Sequence, residues 1–156
     1  MEVERKFLVR SSVSLVDGES ILQGYICIGA GGVEVRLRRK GAAYFETVKR
    51  GSGIERDEVE VMLCAEQFWT LWVATEGRRL EKRRYAVPLG EGLVAEIDVY
   101  GGRLEGLMCV EVEFGSVDTA SEFVPPEWFG REVTEDVNYK NRSLATVGLP
   151  HYWNAP

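Results

Sequence analysis

Residues 1–9 read Met-Glu-Val-Glu-Arg-Lys-Phe-Leu-Val, and where their charges point decides the fold. Val3, Phe7, Leu8 and Val9 make the stretch strand-like, and side chains two apart on a strand share a face. Glu2, Glu4 and Lys6 therefore form one row, two carboxylates followed by an ammonium. Charged side chains ordinarily face water, so the row is either the wet face of an open sheet or the lining of a polar interior. This segment alone leaves both readings open.

The same spacing recurs outward from it. Residues 21–28 read as a strand with Gln23 and Tyr25 at alternate positions, followed by a turn at 29–32. Strand 33–39 puts Arg36 and Arg38 on one face, and 43–50 carries Lys49. Strand 55–61 sets Glu58 and Glu60 opposite Val59 and Val61. Phe68, Leu71, Trp72 and Thr75 then switch to helical spacing, which predicts a helix over 65–76 that packs on the sheet and ends at Gly77. Strands at 79–87, 93–100 and 108–114 follow, with Lys82/Arg84, Glu96/Asp98 and Glu111/Glu113 in phase. A short helix is expected at 118–123 and a closing helix at 138–147, after the break at Pro125-Pro126. Residues 10–20 read as a connection with at most a helical turn.

Short strands joined by tight turns predict a mainly antiparallel sheet with two or three helices. One charge pair at spacing two is commonplace on a wet face. Six strands carrying such pairs in one small domain also fit a closed barrel with charges inside. Burying so many charges is unfavourable unless they are paired or bind ions, so such an interior implies a highly charged ligand. Clustered Arg and Lys suit phosphate oxygens, clustered Glu suits a hard cation such as Mg²⁺ or Mn²⁺, and together they point to a metal–polyphosphate complex.

The composition bounds the alternatives. At 156 residues the chain suits one domain, expected over 1–150 with a loose tail at 151–156. His151 is the single histidine, which argues against a histidine metal site or a Ser/His nucleophile system. A net charge of −6 argues against nucleic acid as a partner, and no apolar run approaches the ~20 residues of a membrane span. Cys27, Cys64 and Cys109 are widely separated, lack zinc spacing and read as reduced core residues of a cytoplasmic protein. The residues themselves imply a small-molecule polyphosphate as partner; a homodimer is the one protein partner left open.

Glu2-Val3-Glu4-Arg5-Lys6 matches the ExExK signature of the CYTH superfamily, the triphosphate tunnel metalloenzymes. Further blocks resemble the family in family order: 22–25, 35–38, 47–49, 81–85, 95–100, 110–114 and 130–134. The resemblance spans about residues 2 to 147 and is strongest to bacterial inorganic tripolyphosphatases. It implies an α+β fold, a closed eight-stranded antiparallel barrel with flanking helices and a C-terminal plug helix. It also implies metal ligation by Glu2, Glu4 and Glu113 with Glu111 in support. Lys6, Arg36, Arg38, Lys49, Lys82 and Arg84 would clamp phosphate. Glu60 and Asp98 would form the acidic side of the catalytic tunnel, and Tyr25 would either pair with Lys82 in catalysis or simply pack at the wall. Arg5, Arg39, Arg83 and Arg103 fall out of phase and read as surface charges.

The resemblance narrows the small-molecule partner to a triphosphate, and the activity so implied is metal-dependent hydrolysis of the terminal phosphoanhydride bond of tripolyphosphate. An adenylyl cyclase of the same superfamily would use the same clamps and release cyclic AMP and pyrophosphate from ATP. A thiamine triphosphatase would need an aromatic or apolar mouth for the thiazolium, and a nucleoside triphosphatase is a further alternative. A non-catalytic polyphosphate-binding module is disfavoured, because a mere anion binder gains nothing from so many glutamates.

Overall fold

The computed structural model describes residues 2–51 and 55–153, and of Glu2, Glu55 and Arg56 the backbone alone. Its strands are β1 (Glu2–Val9), β2 (Glu19–Ile28), β3 (Glu34–Lys40), β4 (Ala43–Arg50), β5 (Glu55–Leu63), β6 (Arg79–Gly90), β7 (Leu93–Tyr100), β8 (Met108–Phe114) and β9 (Phe129–Glu132). Three short helices accompany them: α1 (Ala65–Trp72), α2 (Val117–Glu122) and α3 (Asn141–Thr146). All pairings are antiparallel, in the order β5-β4-β3-β2-β6-β7-β8-β1-β9.

The closed eight-stranded barrel implied by the resemblance is therefore corrected: the sheet has nine strands and is not sealed as a barrel. Its ends touch without zipping, since among the described residues β5 meets β1 at Glu2–Arg56 and Val3–Glu55. The antiparallel register carries β5 past β1 from there, and β9 takes the same edge of β1 farther along, at Phe7 and Val9. β9 has no alternating signal, being four residues long with a glycine (Phe-Gly-Arg-Glu), so periodicity could not reveal it.

Burial settles the question posed by the first strand. Lys6, Arg36, Lys49 and Lys82 are 6%, 6%, 5% and 4% exposed, and Asp98 is 0% exposed, so the charged rows face an interior. Their apolar neighbours point the other way. Val3 and Phe7 join Ala95, Ile97, Val110, Val112 and Phe114 in a core covered by Ala120 of α2 and Phe129 of β9. Leu37 packs beneath Phe68 and Trp72 of α1. Helix α1 comes close because Gly24 lies under it: a Cβ there would stand 2.7 Å from Thr75 and 2.9 Å from Trp72. α1 passes into a 3-10 turn at Val73–Thr75, filling the helical stretch expected from periodicity.

The closing helix is shorter than its sequence suggests. A 3-10 turn at Val137–Tyr139 precedes α3, and Lys140, extended at φ −65° and ψ 137°, separates the two. Leu144 and Ala145 of α3 pack on Tyr25, Leu80, Tyr100 and Cys109, which occupy one end of the inward rows. The tail is not loose up to residue 153: Trp153 packs on this cluster, and the Tyr152 hydroxyl donates to Asp136 Oδ2 at 2.8 Å. Residues 154–156 lie outside the described part. Cys109 is buried as expected, whereas Cys27 and Cys64 are exposed and not core residues. No helix among the described residues is long and apolar enough to cross a membrane.

Two of the out-of-phase arginines, Arg5 and Arg103, bracket elements together, while Arg83 is exposed as expected. Arg5 donates to both carboxylate oxygens of Glu132 (2.8 and 2.6 Å) and to the carbonyls of Ala120 and Phe123, tying β1 to α2 and β9. Arg103 likewise donates to the carbonyls of Leu144 and Ala145 in α3. Arg5→Met should keep the packing over Phe7 yet leave those acceptors unsatisfied, lowering stability by about 2 kcal/mol. Urea unfolding measures this, and a loss below about 0.5 kcal/mol would return Arg5 to the surface-charge reading.

Candidate active site

The inward rows of the strands converge on a cavity of about 500 Å³. Of the residues expected from sequence, Glu4, Lys6, Tyr25, Arg36, Arg38, Lys49, Lys82, Arg84, Glu111 and Glu113 line it. Asp98, fully buried, and Glu60, exposed, do not line it but pair with its cations. The side chain of Glu2 lies outside the described residues.

Cross-strand register explains this wall. Lys6 faces Glu111 across β1 and β8, Arg84 faces Asp98 across β6 and β7, and Lys49 faces Glu58 across β4 and β5. The resulting bonds form a chain of alternating charge. Lys82 Nζ donates to Asp98 Oδ2 at 2.5 Å, and Arg84 holds the same carboxylate with two bonds of 2.7 Å. Arg84 also donates to Glu111 Oε2 at 2.7 Å and to Glu96, while Glu111 Oε1 lies 3.0 Å from Lys6 Nζ.

Burial and partner charge compete at each site. Burial pushes the Asp98 carboxyl up, but Lys82 and Arg84 outweigh it and hold it below its ordinary value. Glu111 is likewise held well below the usual range, Lys6 and Arg84 overcoming its burial. Burial pushes Lys6 down, but Glu111 together with Tyr100, Cys109 and Asp98 outweighs it and holds Lys6 well above its ordinary value. Lys82 goes the other way: burial prevails over Asp98, and its ammonium falls to about 8.

The opposite wall is less fully matched. Arg36 donates to Thr47 at 3.3 Å and lies 4.0 Å from Glu58 and Glu60, and Arg38 pairs with Glu60 at 2.9 Å. The Nε groups of both arginines are buried without a hydrogen-bond partner among the described residues. Burial and the neighbouring Arg36 charge depress the Arg38 pKa. Guanidinium groups in this condition suit an anion with several oxygens.

The carboxylates suit a cation. Glu4 opposes Glu113 across β1 and β8, and Glu96 opposes Glu111 across β7 and β8. Like charges directly opposed are destabilising, and their hard oxygens fit Mg²⁺ or Mn²⁺. Among the described residues no group of three His, Cys, Asp or Glu forms a ready cation cage.

Other cavity residues escaped the sequence reading. Gln23, Glu34 and Lys40 share the spacing-two rows, so their parity could have found them. Thr134 and Glu135 follow β9, where Thr134 Oγ1 accepts from Lys6 N at 2.9 Å, and Lys140, Asn141 and Arg142 arrive through the tertiary seating of α3; no periodicity points to either group. Arg142 reaches Glu34 at 3.6 Å, and Asn141 accepts a 2.6 Å hydrogen bond from the Tyr100 hydroxyl. Tyr25 accepts from Gln23 Nε2 at 2.8 Å and makes no hydrogen bond with Lys82 among the described contacts.

A curved antiparallel sheet whose concave face sets arginines and lysines against paired carboxylates defines a class of cavity suited to a polyanion held together with a cation. No protein-family model matches the chain. It is 49% identical over 148 residues to an inorganic triphosphatase of Nitrosomonas europaea, covering 92% of this chain and 96% of that one. It is 37% identical over 147 residues to an inorganic triphosphatase of Acetivibrio thermocellus, with 92% of each covered. The chain belongs to the inorganic triphosphatase family. The crystal structure of the inorganic triphosphatase NE1496 superposes with a TM-score of 0.72 at 45% identity, covering 96% of this chain and 97% of that one. The Hippeastrum protein HpAC1, a putative adenylyl cyclase with a dominant triphosphatase activity, shares the fold alone: 13% identity, a TM-score of 0.57, and 78% and 83% of the two chains.

Asp98→Asn should strand two buried cations and cost about 3 kcal/mol at pH 7. Because the folded pKa of Asp98 is depressed, its contribution is full above the ordinary carboxylate range and fades as pH falls through the folded value. Chemical denaturation across pH should therefore show the wild-type and variant stabilities converging in acid. A constant difference down to pH 2 would contradict this electrostatic account.

Proposed function

We propose that this chain hydrolyses the terminal phosphoanhydride bond of inorganic tripolyphosphate, with Mg²⁺ or Mn²⁺ as the required ion. The observation that supports this best is the single cavity in which Lys6, Arg36, Arg38, Lys49, Lys82 and Arg84 face Glu4, Glu111 and Glu113. Arg36, Arg38 and Lys49 on one wall, and Lys6 and Arg84 on the other, hold the non-bridging oxygens and keep the phosphate chain in line. Glu4 and Glu113 would hold the cation, and the family resemblance adds Glu2 to that set. When bound there, the divalent ion supplies charge stabilisation at the terminal phosphoryl group and acidifies a coordinated water.

Little covalent work falls to the protein, because phosphoryl transfer is mostly positioning and charge stabilisation. Lys82, titrating at about 8, has a neutral fraction near physiological pH that can accept a proton from the attacking water. Asp98 aligns Lys82 and Arg84, and Glu60 aligns Arg38. Since Gln23 donates to the Tyr25 oxygen, the phenol keeps its own proton for an acceptor in the cavity, and burial raises its pKa so that it stays protonated.

The test is product release from tripolyphosphate, pyrophosphate, ATP and thiamine triphosphate, each with Mg²⁺ or Mn²⁺. Tripolyphosphate should yield phosphate and pyrophosphate, pyrophosphate should persist, and ATP should give no cyclic AMP. Glu4→Gln should lower kcat by about 10² with the fold intact. For the wild type, kcat/KM should climb as pH approaches about 8, as Lys82 loses its proton. Cyclic AMP as the main product from ATP, or near-wild-type turnover by Glu4→Gln, would contradict the assignment.

A further inference from the structure

Tyr100 does not line the cavity, yet it touches three groups that do. Its hydroxyl donates to Asn141 Oδ1 at 2.6 Å and lies 3.5 Å from Lys6 Nζ, while Lys82 Nζ sits 5.5 Å from the centre of its ring. The register puts Tyr100 directly opposite Lys82 across β6 and β7. The side chain is fully enclosed at 2% exposure, among Tyr25, Leu80, Cys109 and Leu144. Asn141 opens α3, whose next residue, Arg142, pairs with Glu34 of β3.

From this geometry we infer that Tyr100 is a positioning residue, coupling the seating of α3 through Asn141 to the placement of the lysines Lys6 and Lys82. The inference rests on the triphosphatase reading of the cavity and assigns the tyrosine in contact with Lys82 as Tyr100. Two parts of the side chain do separate work. The hydroxyl stands between Asn141 and Lys6, so its bond to α3 fixes where a phosphate clamp can reach. The ring offers its π-face to the Lys82 ammonium, an attraction strengthened by the absence of water. A tyrosine present only to fill the core would use its ring for packing and leave the hydroxyl to any acceptor. Here the acceptor is itself a cavity residue on the element that covers one end of the site.

The two functions separate by substitution. Tyr100→Phe keeps the ring and removes the hydroxyl, so KM for tripolyphosphate should rise about fivefold, the scale of one hydrogen bond, with kcat within about twofold. Asn141→Ala should reproduce that KM. The double variant should be no worse than either single, because both remove the same link. Tyr100→Leu should in addition lower kcat about tenfold by releasing Lys82. Thermal unfolding is recorded beside the kinetics, since a purely structural tyrosine would lower Tm and leave the KM-to-kcat pattern unmoved. Should Tyr100→Leu fail to fold, the Tyr100→Phe and Asn141→Ala cycle still decides. Wild-type KM in Tyr100→Phe, or KM increases that multiply in the double variant, would overturn the role of Tyr100. Calorimetric titration with tripolyphosphate and Mg²⁺ keeps the two claims apart. A wild-type protein that neither binds nor hydrolyses tripolyphosphate overturns the triphosphatase reading, whereas active wild type with uncoupled variants overturns this inference alone.

Discussion

Asp98 is the fixed point of the molecule. A fully buried carboxylate shared by Lys82 and Arg84 is tolerable only because both cations meet it at close range and Arg84 passes charge on to Glu111 and thence to Lys6. Remove any member and an uncompensated charge remains in a low-dielectric interior. The curvature of the sheet, the register of β6, β7, β8 and β1, and the outward apolar rows under α1, α2 and β9 all serve to hold that chain in place. The same chain divides the cavity into two sides. On the Asp98 side the charges are satisfied by one another. On the Arg36–Arg38 side two guanidinium Nε atoms are buried without partners among the described residues. A polyanion would complete what the second side lacks.

Lys82 shows how function grows out of this arrangement. Its ion pair with Asp98 would ordinarily raise its pKa, yet desolvation wins and brings it to about 8. A lysine so tuned can change its protonation state near neutrality, which Lys6, held protonated by Glu111, cannot. Two lysines in one cavity are thus shifted in opposite directions. Asp98 is divided between Lys82 and Arg84, while Glu111 gives one oxygen to Lys6 and the other to Arg84.

Much of this was legible in the sequence, because a strand's period of two is visible without coordinates. The rows at Glu4/Lys6, Arg36/Arg38, Lys82/Arg84 and Glu111/Glu113 carried both the strands and the cavity wall. Periodicity could not say whether those rows faced water or an interior, since alternation is the same in both cases; burial of Asp98 and Lys82 decided it. Three features lay beyond reach for physical reasons. β9 is too short and glycine-containing to show a period. The break at Lys140 depends on one backbone torsion. The arrival of Asn141 and Arg142 at the cavity depends on how α3 seats against Tyr100 and Glu34, a tertiary matter. Closure was over-read: the family resemblance implied eight sealed strands, whereas β1 divides its free edge between β5 and β9.

The central claim is that the cavity's cations are an unfavourable arrangement held for a polyanion. It is tested most directly by thermal unfolding of wild type and Arg36→Met, with and without tripolyphosphate plus Mg²⁺. Arg36→Met removes a buried, poorly paired charge, so without ligand the variant should be as stable as wild type or more so. At a hundredfold excess over Kd, ligand should stabilise wild type by ~2.7 kcal/mol and the variant by far less. A wild type that does not respond to tripolyphosphate and Mg²⁺, or a variant that responds equally, would contradict the account.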